Sequence, residues 1–120
     1  MNESTVQAQV RLLASTQGWR LWRNNVGVLI DSRGVPVRFG LANDSKQVNS
    51  QVKSGDLIGI RPVLITPDMV GRTIGQFVSR ECKRQGWVLN LYDARDEAQM
   101  RWIEVVSSLG GDAKFTTGDL

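Results

Sequence analysis

The stretch Ile-Gly-Gln-Phe-Val-Ser-Arg-Glu-Cys-Lys, residues 74–83, decides the fold, because it predicts a strand that ends in an acid and a base. Side chains on a strand alternate between its faces, so Glu81 and Lys83 project to one side and Cys82 to the other. A carboxylate beside an ammonium group suits metal-assisted hydrolysis, in which one residue holds a divalent cation and the other lies near the attacking water. The best candidate for a second carboxylate is Asp56, in Lys-Ser-Gly-Asp-Leu-Ile-Gly-Ile.

The composition is that of one compact domain over residues 1–120, with 41% hydrophobic residues. The chain has 15 Lys and Arg against 12 Asp and Glu, a net charge of +3 that mildly favours polyanionic partners. No apolar run approaches the roughly 20 residues of a membrane span, and the N-terminus lacks a signal-peptide pattern. We therefore expect a soluble, cytoplasmic protein with no membrane partner.

Two absences narrow the chemistry. The chain contains no histidine, which excludes histidine-ligated zinc hydrolases, Ser-His catalysis and histidine general bases. Its single cysteine excludes cysteine-ligated zinc sites and an intramolecular disulfide. Any metal must therefore be held by oxygen, which indicates magnesium, manganese or calcium.

Apolar spacing predicts two helices. In residues 3–16 the apolar positions form one stripe, Ser4 with Gln7 is a candidate capping box, and Gly18 is a stop signal. Glu3 then lies at the helix start, where the helix dipole alone accounts for a carboxylate. The second helix covers residues 93–109, with Asp93 as N-cap and acidic residues in its first turn. The stripe of the first helix consists of Val6, Val10, Leu13 and Ala14. In the second helix, the first-turn acids are Asp96 and Glu97. The apolar face of the second helix consists of Ala98, Trp102, Val105, Val106 and Leu109.

The remaining patterns predict strands and one loop. Residues 26–39 form a hairpin around the turn at residues 31–34, and residues 41–54 are polar and aperiodic, which predicts a loop. Residues 61–71 are a connection in which Thr66 caps a single turn. Further strands are predicted at residues 19–25, 56–60 and 113–117.

Basic residues near these segments have two interpretations. Arg20, Arg23 and Arg38 suit phosphate contacts, and the alternative is a solvated sheet edge with the tryptophans in the core. Lys46 and Lys53 lie in the predicted loop. Either they contact a nucleic acid, or they are isolated surface charges exposed to solvent.

The candidate metal ligands also have alternatives. Asp56 at the start of a buried strand is costly unless its charge is used, but an aspartate after Gly55 also suits a turn. Lys83 can form a structural salt bridge with Asp56 and Glu81 in place of a metal site. Cys82 is interpreted as a small core residue, because no histidine is present to activate its thiol.

The order helix, strand, hairpin, Gly-Asp strand, Glu-x-Lys strand, helix, strand resembles the PD-(D/E)xK nuclease core, and more narrowly the VRR-NUC family, especially its small stand-alone members from phages and bacteria. The resemblance spans almost the whole chain, although Ser54-Gly55 precedes Asp56 where the family often has proline. The matching residues are Glu3, Arg23-Asn24-Asn25 with Val26-Gly27, Gly55-Asp56, Glu81-Cys82-Lys83 and Gln99.

The resemblance implies an α/β restriction-endonuclease-like fold, with a mixed central sheet flanked by helices. It implies a deoxyribonuclease dependent on Mg²⁺ or Mn²⁺, and in stand-alone members a homodimer that cuts branched DNA such as four-way junctions, in a bacterial or phage-infected cell. Asp56, Glu81 and the backbone carbonyl of Cys82 would hold the metal and Lys83 would orient the attacking water, so that loss of Lys83 should cost most activity and least stability. Glu3 and Gln99 would be outer ligands, and Asn24 would join the basic residues on DNA. The alternative is a catalytically inert DNA-binding or protein-interaction module on the same fold.

Overall fold

A computed structural model describes residues 2–120. The chain forms two compact units, one ending at Gly59 and the other running from Ile60 to Leu120. The predicted α/β class is confirmed by three helices and six strands in the described residues. In chain order the elements are α1 (Glu3–Thr16), β1 (Arg20–Arg23), β2 (Gly27–Ile30), β3 (Pro36–Phe39), α2 (Lys46–Gln51), β4 (Leu57–Ile60), a 3-10 turn (Pro67–Met69), β5 (Val78–Cys82), α3 (Ala94–Ser108) and β6 (Asp112–Thr116).

Helix α1 has the predicted extent but a different cap. The Asn2 side chain accepts a hydrogen bond from the backbone N–H of Thr5 at 2.8 Å, so the predicted Ser4–Gln7 capping box is wrong. Asparagine is among the strongest N-cap residues, and it lies one residue before the helix. Of the predicted apolar stripe only Ala14 is buried.

The predicted loop over residues 41–54 is wrong in its centre, because residues 46–51 form helix α2. The Ser45 hydroxyl caps this helix by accepting a hydrogen bond from the backbone N–H of Val48 at 3.1 Å. Periodicity is a poor guide here, because a helix of six residues is too short to show a repeating apolar pattern.

The strands within residues 2–120 form three two-stranded sheets, whereas the resemblance to the nuclease core implies one mixed central sheet. Strand β1 pairs with β4, and the predicted hairpin is confirmed, with β2 antiparallel to β3 from Gly27↔Phe39 to Ile30↔Pro36. Strand β5 pairs in parallel with β6, from Val78↔Asp112 to Cys82↔Thr116. The parallel pair is joined by α3, the crossover connection that parallel strands require.

The hairpin turn is held by Asp31. Its carboxylate accepts hydrogen bonds from the backbone N–H groups of Arg33 and Val35 at 2.8 and 2.9 Å, and it forms an ion pair with the Arg33 guanidinium at 2.9 Å. The hydrogen bond from Val35, followed by that from Arg33, lowers the pKa of Asp31 below its ordinary value.

Two glycines are required by close backbone approach. A Cβ at Gly59 would overlap the carbonyl oxygen of Arg20, so the pairing of β4 with β1 needs a residue without a side chain. A Cβ at Gly111 would lie 2.6 Å from a methyl carbon of Val106, so the turn from α3 into β6 has the same requirement.

The second unit is built around α3. Asp93 caps the helix as predicted, accepting hydrogen bonds from the backbone N–H groups of Arg95 and Asp96. Val106 is completely buried and Ile103 is 9% exposed, so these two residues anchor the helix. The third buried residue of α3 is the charged Asp96, at 7% exposure. Burial of a carboxylate requires a partner, which the candidate site provides.

No helix within residues 2–120 is long and apolar enough to cross a membrane.

Candidate active site

Helix α3 makes three polar contacts with β5 and with Lys83, the residue that follows β5. We call these three contacts the β5–α3 ladder. Strand residues two apart lie on one face of β5, and helix residues three apart lie on one face of α3. The helix runs against the strand direction, so the highest-numbered helix residue contacts the lowest-numbered strand residue. The contacts are Ser79 Oγ with Trp102 Nε1 at 2.9 Å, Glu81 Oε1 with Gln99 Nε2 at 2.9 Å, and Lys83 Nζ with Asp96 Oδ1 at 3.5 Å.

The middle contact leaves an unused oxygen. Gln99 donates through Nε2 to the Glu81 carboxylate, and both side chains are half-buried. Gln99 Oε1 is buried and has no hydrogen-bond partner among the described residues. A buried amide oxygen without a partner is costly, and native proteins usually satisfy such an atom with a ligand, an ion or water. The Glu81 carboxylate and this amide oxygen are the hard donors that Mg²⁺ and Mn²⁺ prefer.

The third contact holds the lysine. The side chains of Lys83 and Asp96 are only 14% and 10% exposed, so water screens their attraction weakly. The other Asp96 oxygen, Oδ2, accepts a hydrogen bond from the backbone N–H of Asn90 at 3.1 Å. Lys83 Nζ also lies 5.3 Å from the ring centroid of Trp87 and 5.8 Å from that of Phe115, within cation–π range. The ammonium group is therefore surrounded by one carboxylate and two aromatic faces.

The opposite face of β5 differs from the prediction. Cys82 is exposed, so its interpretation as a core residue is wrong. The physical reason is that α3 contacts the face that carries Glu81, while Cys82 points to the other side. Arg80 lies on the Cys82 side and forms an ion pair with Asp112 at 2.8 Å. The hydrogen bond from Arg80 lowers the pKa of the Asp112 carboxyl.

In the first unit, Asp56 is exposed and directly precedes β4. The backbone N–H of Asn24 donates to the Asp56 carbonyl oxygen at 2.9 Å. The Asn24 side chain donates to Ser54 Oγ at 2.7 Å and to the Gly55 carbonyl oxygen at 2.9 Å. Asn24 thus holds the turn that presents Asp56, a structural role besides the DNA contact predicted for it.

The other predicted residues of the first unit lie at its surface. Glu3 begins α1 and is exposed. Lys53 is exposed and donates to Asn49 Oδ1 at 2.6 Å. Arg38 differs, because its guanidinium donates to Oδ1 of the buried Asn43 at 2.7 Å and therefore has a structural partner. Three further predicted DNA-binding residues are exposed: Arg20, Arg23 and Lys46.

The structure thus brings Glu81, Lys83 and Gln99 together in the second unit. Asp96 joins them, although its position in the sequence predicts only an acid in the first turn of the helix. The signal that identifies Asp96 is its spacing of three from Gln99, which equals the spacing from Gln99 to Trp102. Within residues 2–120, no group of three or more Asp, Glu or Cys side chains is close enough to hold a metal ion.

Comparison with protein-family models, curated protein sequences and solved structures gave no significant match.

Proposed function

We propose that this chain is a Mg²⁺- or Mn²⁺-dependent deoxyribonuclease of the VRR-NUC type, with a PD-(D/E)xK core over residues 1–120. The observation that carries the proposal is the middle contact of the ladder. It places the Glu81 carboxylate beside the unpartnered Gln99 Oε1, on the face of β5 that also carries Lys83. A carboxylate, a spare amide oxygen and an ammonium group together suit phosphodiester hydrolysis better than they suit a packed interior.

The two oxygen donors that meet here, a carboxylate and an amide oxygen, are of the kind that a hard divalent cation prefers. Glu81 and Gln99 Oε1 would hold the cation, with the backbone carbonyl of Cys82 as a further ligand. The ligand roles of Asp56 and Glu3, which lie in the first unit, stay predictions from the sequence. When bound, the cation would polarise the scissile phosphate and activate a water molecule.

Lys83 contributes positive charge near the reacting phosphate. Its ammonium group would donate hydrogen bonds to a phosphate oxygen or to the attacking water, which stabilises the negative charge that develops during in-line attack. The Asp96 contact leaves the remaining N–H groups of the ammonium for this purpose, because an ammonium has three donors.

The proposed substrate is DNA, with branched forms such as four-way junctions preferred. The exposed basic residues of the first unit would bind phosphates, since their charges are open to solvent and the chain is net positive. The protein would act as a homodimer in the cytoplasm of a bacterium or of a phage-infected cell. The predicted DNA-binding residues are Arg20, Arg23, Asn24, Lys46 and Lys53.

The second candidate is a catalytically inert DNA-binding or protein-interaction module on the same fold. The Lys83–Asp96 pair favours it, since a lysine that is 14% exposed and paired with a carboxylate also suits a purely structural role. Calorimetric titration with Mn²⁺ separates the two functions. The nuclease binds the metal and loses binding when Glu81 is replaced by glutamine, whereas the module shows no binding at millimolar metal.

The decisive experiment is cleavage of a labelled DNA panel of linear, flapped, forked and four-way substrates, with Mg²⁺ and with chelator. We expect metal-dependent cleavage by the wild type, greatest on the branched forms. Lys83→Ala should reduce the rate about 100-fold or more, the usual cost of losing a group that stabilises developing charge. Lys114→Ala is the matched control and should retain wild-type activity. Equal rates for wild type and Lys83→Ala would refute the role given to Lys83.

A further inference from the structure

The carboxylate of Asp96 is almost completely buried, yet no function proposed so far requires it. It is held at both oxygens: Oδ2 accepts from the backbone N–H of Asn90, and Oδ1 lies 3.5 Å from Lys83 Nζ. The first contact fixes the carboxylate, because a backbone donor cannot change rotamer. The second then fixes the lysine, whose four-carbon side chain is otherwise flexible.

We propose that Asp96 is a positioning residue for Lys83, one that holds the ammonium group on the Glu81 side of β5. This inference rests on the proposed nuclease function. The ladder supports it, because each strand residue on this face has its own helix partner, three residues apart along α3. The Trp87 and Phe115 rings, whose centroids lie 5.3 and 5.8 Å from Lys83 Nζ, limit the remaining freedom of the ammonium group.

Asp96→Asn tests the role with little change in shape. The Asn oxygen can still accept from the Asn90 N–H, but the amide group that replaces Oδ1 cannot accept from the Lys83 ammonium. The cleavage rate constant should fall about tenfold or more at saturating DNA, with DNA affinity in chelator unchanged. Asp96→Glu keeps the charge and should recover most of this loss. Mn²⁺ affinity measured by calorimetry should change less than threefold in Asp96→Asn, because the proposed metal donors remain.

A double-mutant cycle distinguishes positioning from general structural support. If Asp96 acts through Lys83, then Asp96→Asn should reduce the rate less than twofold when Lys83 is already alanine. Ser79→Ala removes the first contact of the same ladder and should leave the rate unchanged, which controls for loss of a ladder contact as such. All rates are compared at a temperature where thermal unfolding shows every variant to be folded.

The outcomes separate this inference from the function on which it rests. Non-additive losses support the positioning role. If the wild type cleaves DNA but Asp96→Asn loses the same factor in both backgrounds, or loses nothing, the positioning role is overturned and the nuclease remains. If the wild type cleaves no substrate with either metal, both fall.

Discussion

Lys83 is where the structure most changes the expectation from sequence. From the sequence we expect loss of Lys83 to cost little stability, whereas its side chain is only 14% exposed and pairs with a carboxylate that is 10% exposed. Removing one member of such a pair leaves the other charge buried and uncompensated. The residue therefore contributes to folding as well as to the proposed chemistry.

We accordingly expect Lys83→Ala to lower the free energy of unfolding by about 1–3 kcal/mol, the usual cost of leaving a buried polar group unsatisfied. Urea unfolding of the purified variant measures this change. Lys114→Ala provides the comparison within the same unit. A Lys83→Ala protein as stable as the wild type would show that Asp96 finds another partner.

Gln99 is the residue whose substitution tests the proposed metal site most directly. Gln99→Leu removes the donor to Glu81 and the unpartnered Oε1 together, at similar side-chain volume. We expect Mn²⁺ affinity to fall about tenfold or more, as for other residues that orient or supplement a metal ligand. Calorimetry with Mn²⁺ gives the affinity, and Ser79→Ala is the control. Unchanged affinity would remove Gln99 from the proposed site.

At the scale of elements, the strand pairs depend on local backbone fit. Strands β1 and β4 approach each other so closely at Gly59 that β4 has no room for a side chain at this position. The hairpin of β2 and β3 depends on a charge in its turn, since Asp31 accepts two backbone hydrogen bonds.

Gly59→Ala should destabilise the first unit by about 1–3 kcal/mol, as expected when a methyl group is forced against packed atoms. Gly55→Ala is the matched control, because the nearest atom to its added Cβ lies 3.8 Å away, an ordinary contact. Thermal unfolding of the two variants tests the difference. Equal stability would mean that β1 and β4 separate easily.

The lowered pKa of Asp31 predicts an acid-sensitive hairpin. A carboxyl group whose pKa is lower in the folded state stabilises the fold above its unfolded pKa, and this contribution is lost as the pH falls through the folded value, below 3.8. Asp31→Asn keeps a side-chain oxygen for the backbone donors but loses the charge. Its urea-unfolding stability should therefore depend less on pH than that of the wild type between pH 5 and the acid limit of folding, roughly the range in which carboxylates titrate. An identical pH profile would contradict this role, and Asp44→Asn is the control.

At the scale of the whole molecule, charge and size bear on DNA binding. A net charge of +3 on 120 residues gives a modest long-range attraction to DNA. DNA binding should weaken as the salt concentration rises, because the release of counterions from the phosphates then favours binding less. A chain of this length also offers little surface to a branched substrate with several arms. The small surface is consistent with the proposed homodimer.

Light scattering at micromolar concentration should give twice the monomer mass if the protein is a homodimer. The measurement should give the same mass in Mg²⁺ and in chelator, because the proposed metal site lies within one chain. A monomer under both conditions would contradict the dimer, and a dimer only in Mg²⁺ would indicate association through the metal.

The sequence alone determined the α/β class, the hairpin and the long helices, because these depend on periodicity and on local signals such as the Asp93 cap. It also placed Glu81 and Lys83 on one face, since alternation along a strand is a property of the backbone. It did not determine α2, whose six residues are too few for a pattern, nor the exposure of Cys82, which depends on the side of β5 that a helix covers. The partners in the β5–α3 ladder were decided only by tertiary structure. Gln99 meets Glu81 and Asp96 meets Lys83 because α3 packs antiparallel to β5 at one register, and contacts between residues 13 to 18 positions apart in sequence have no local signature.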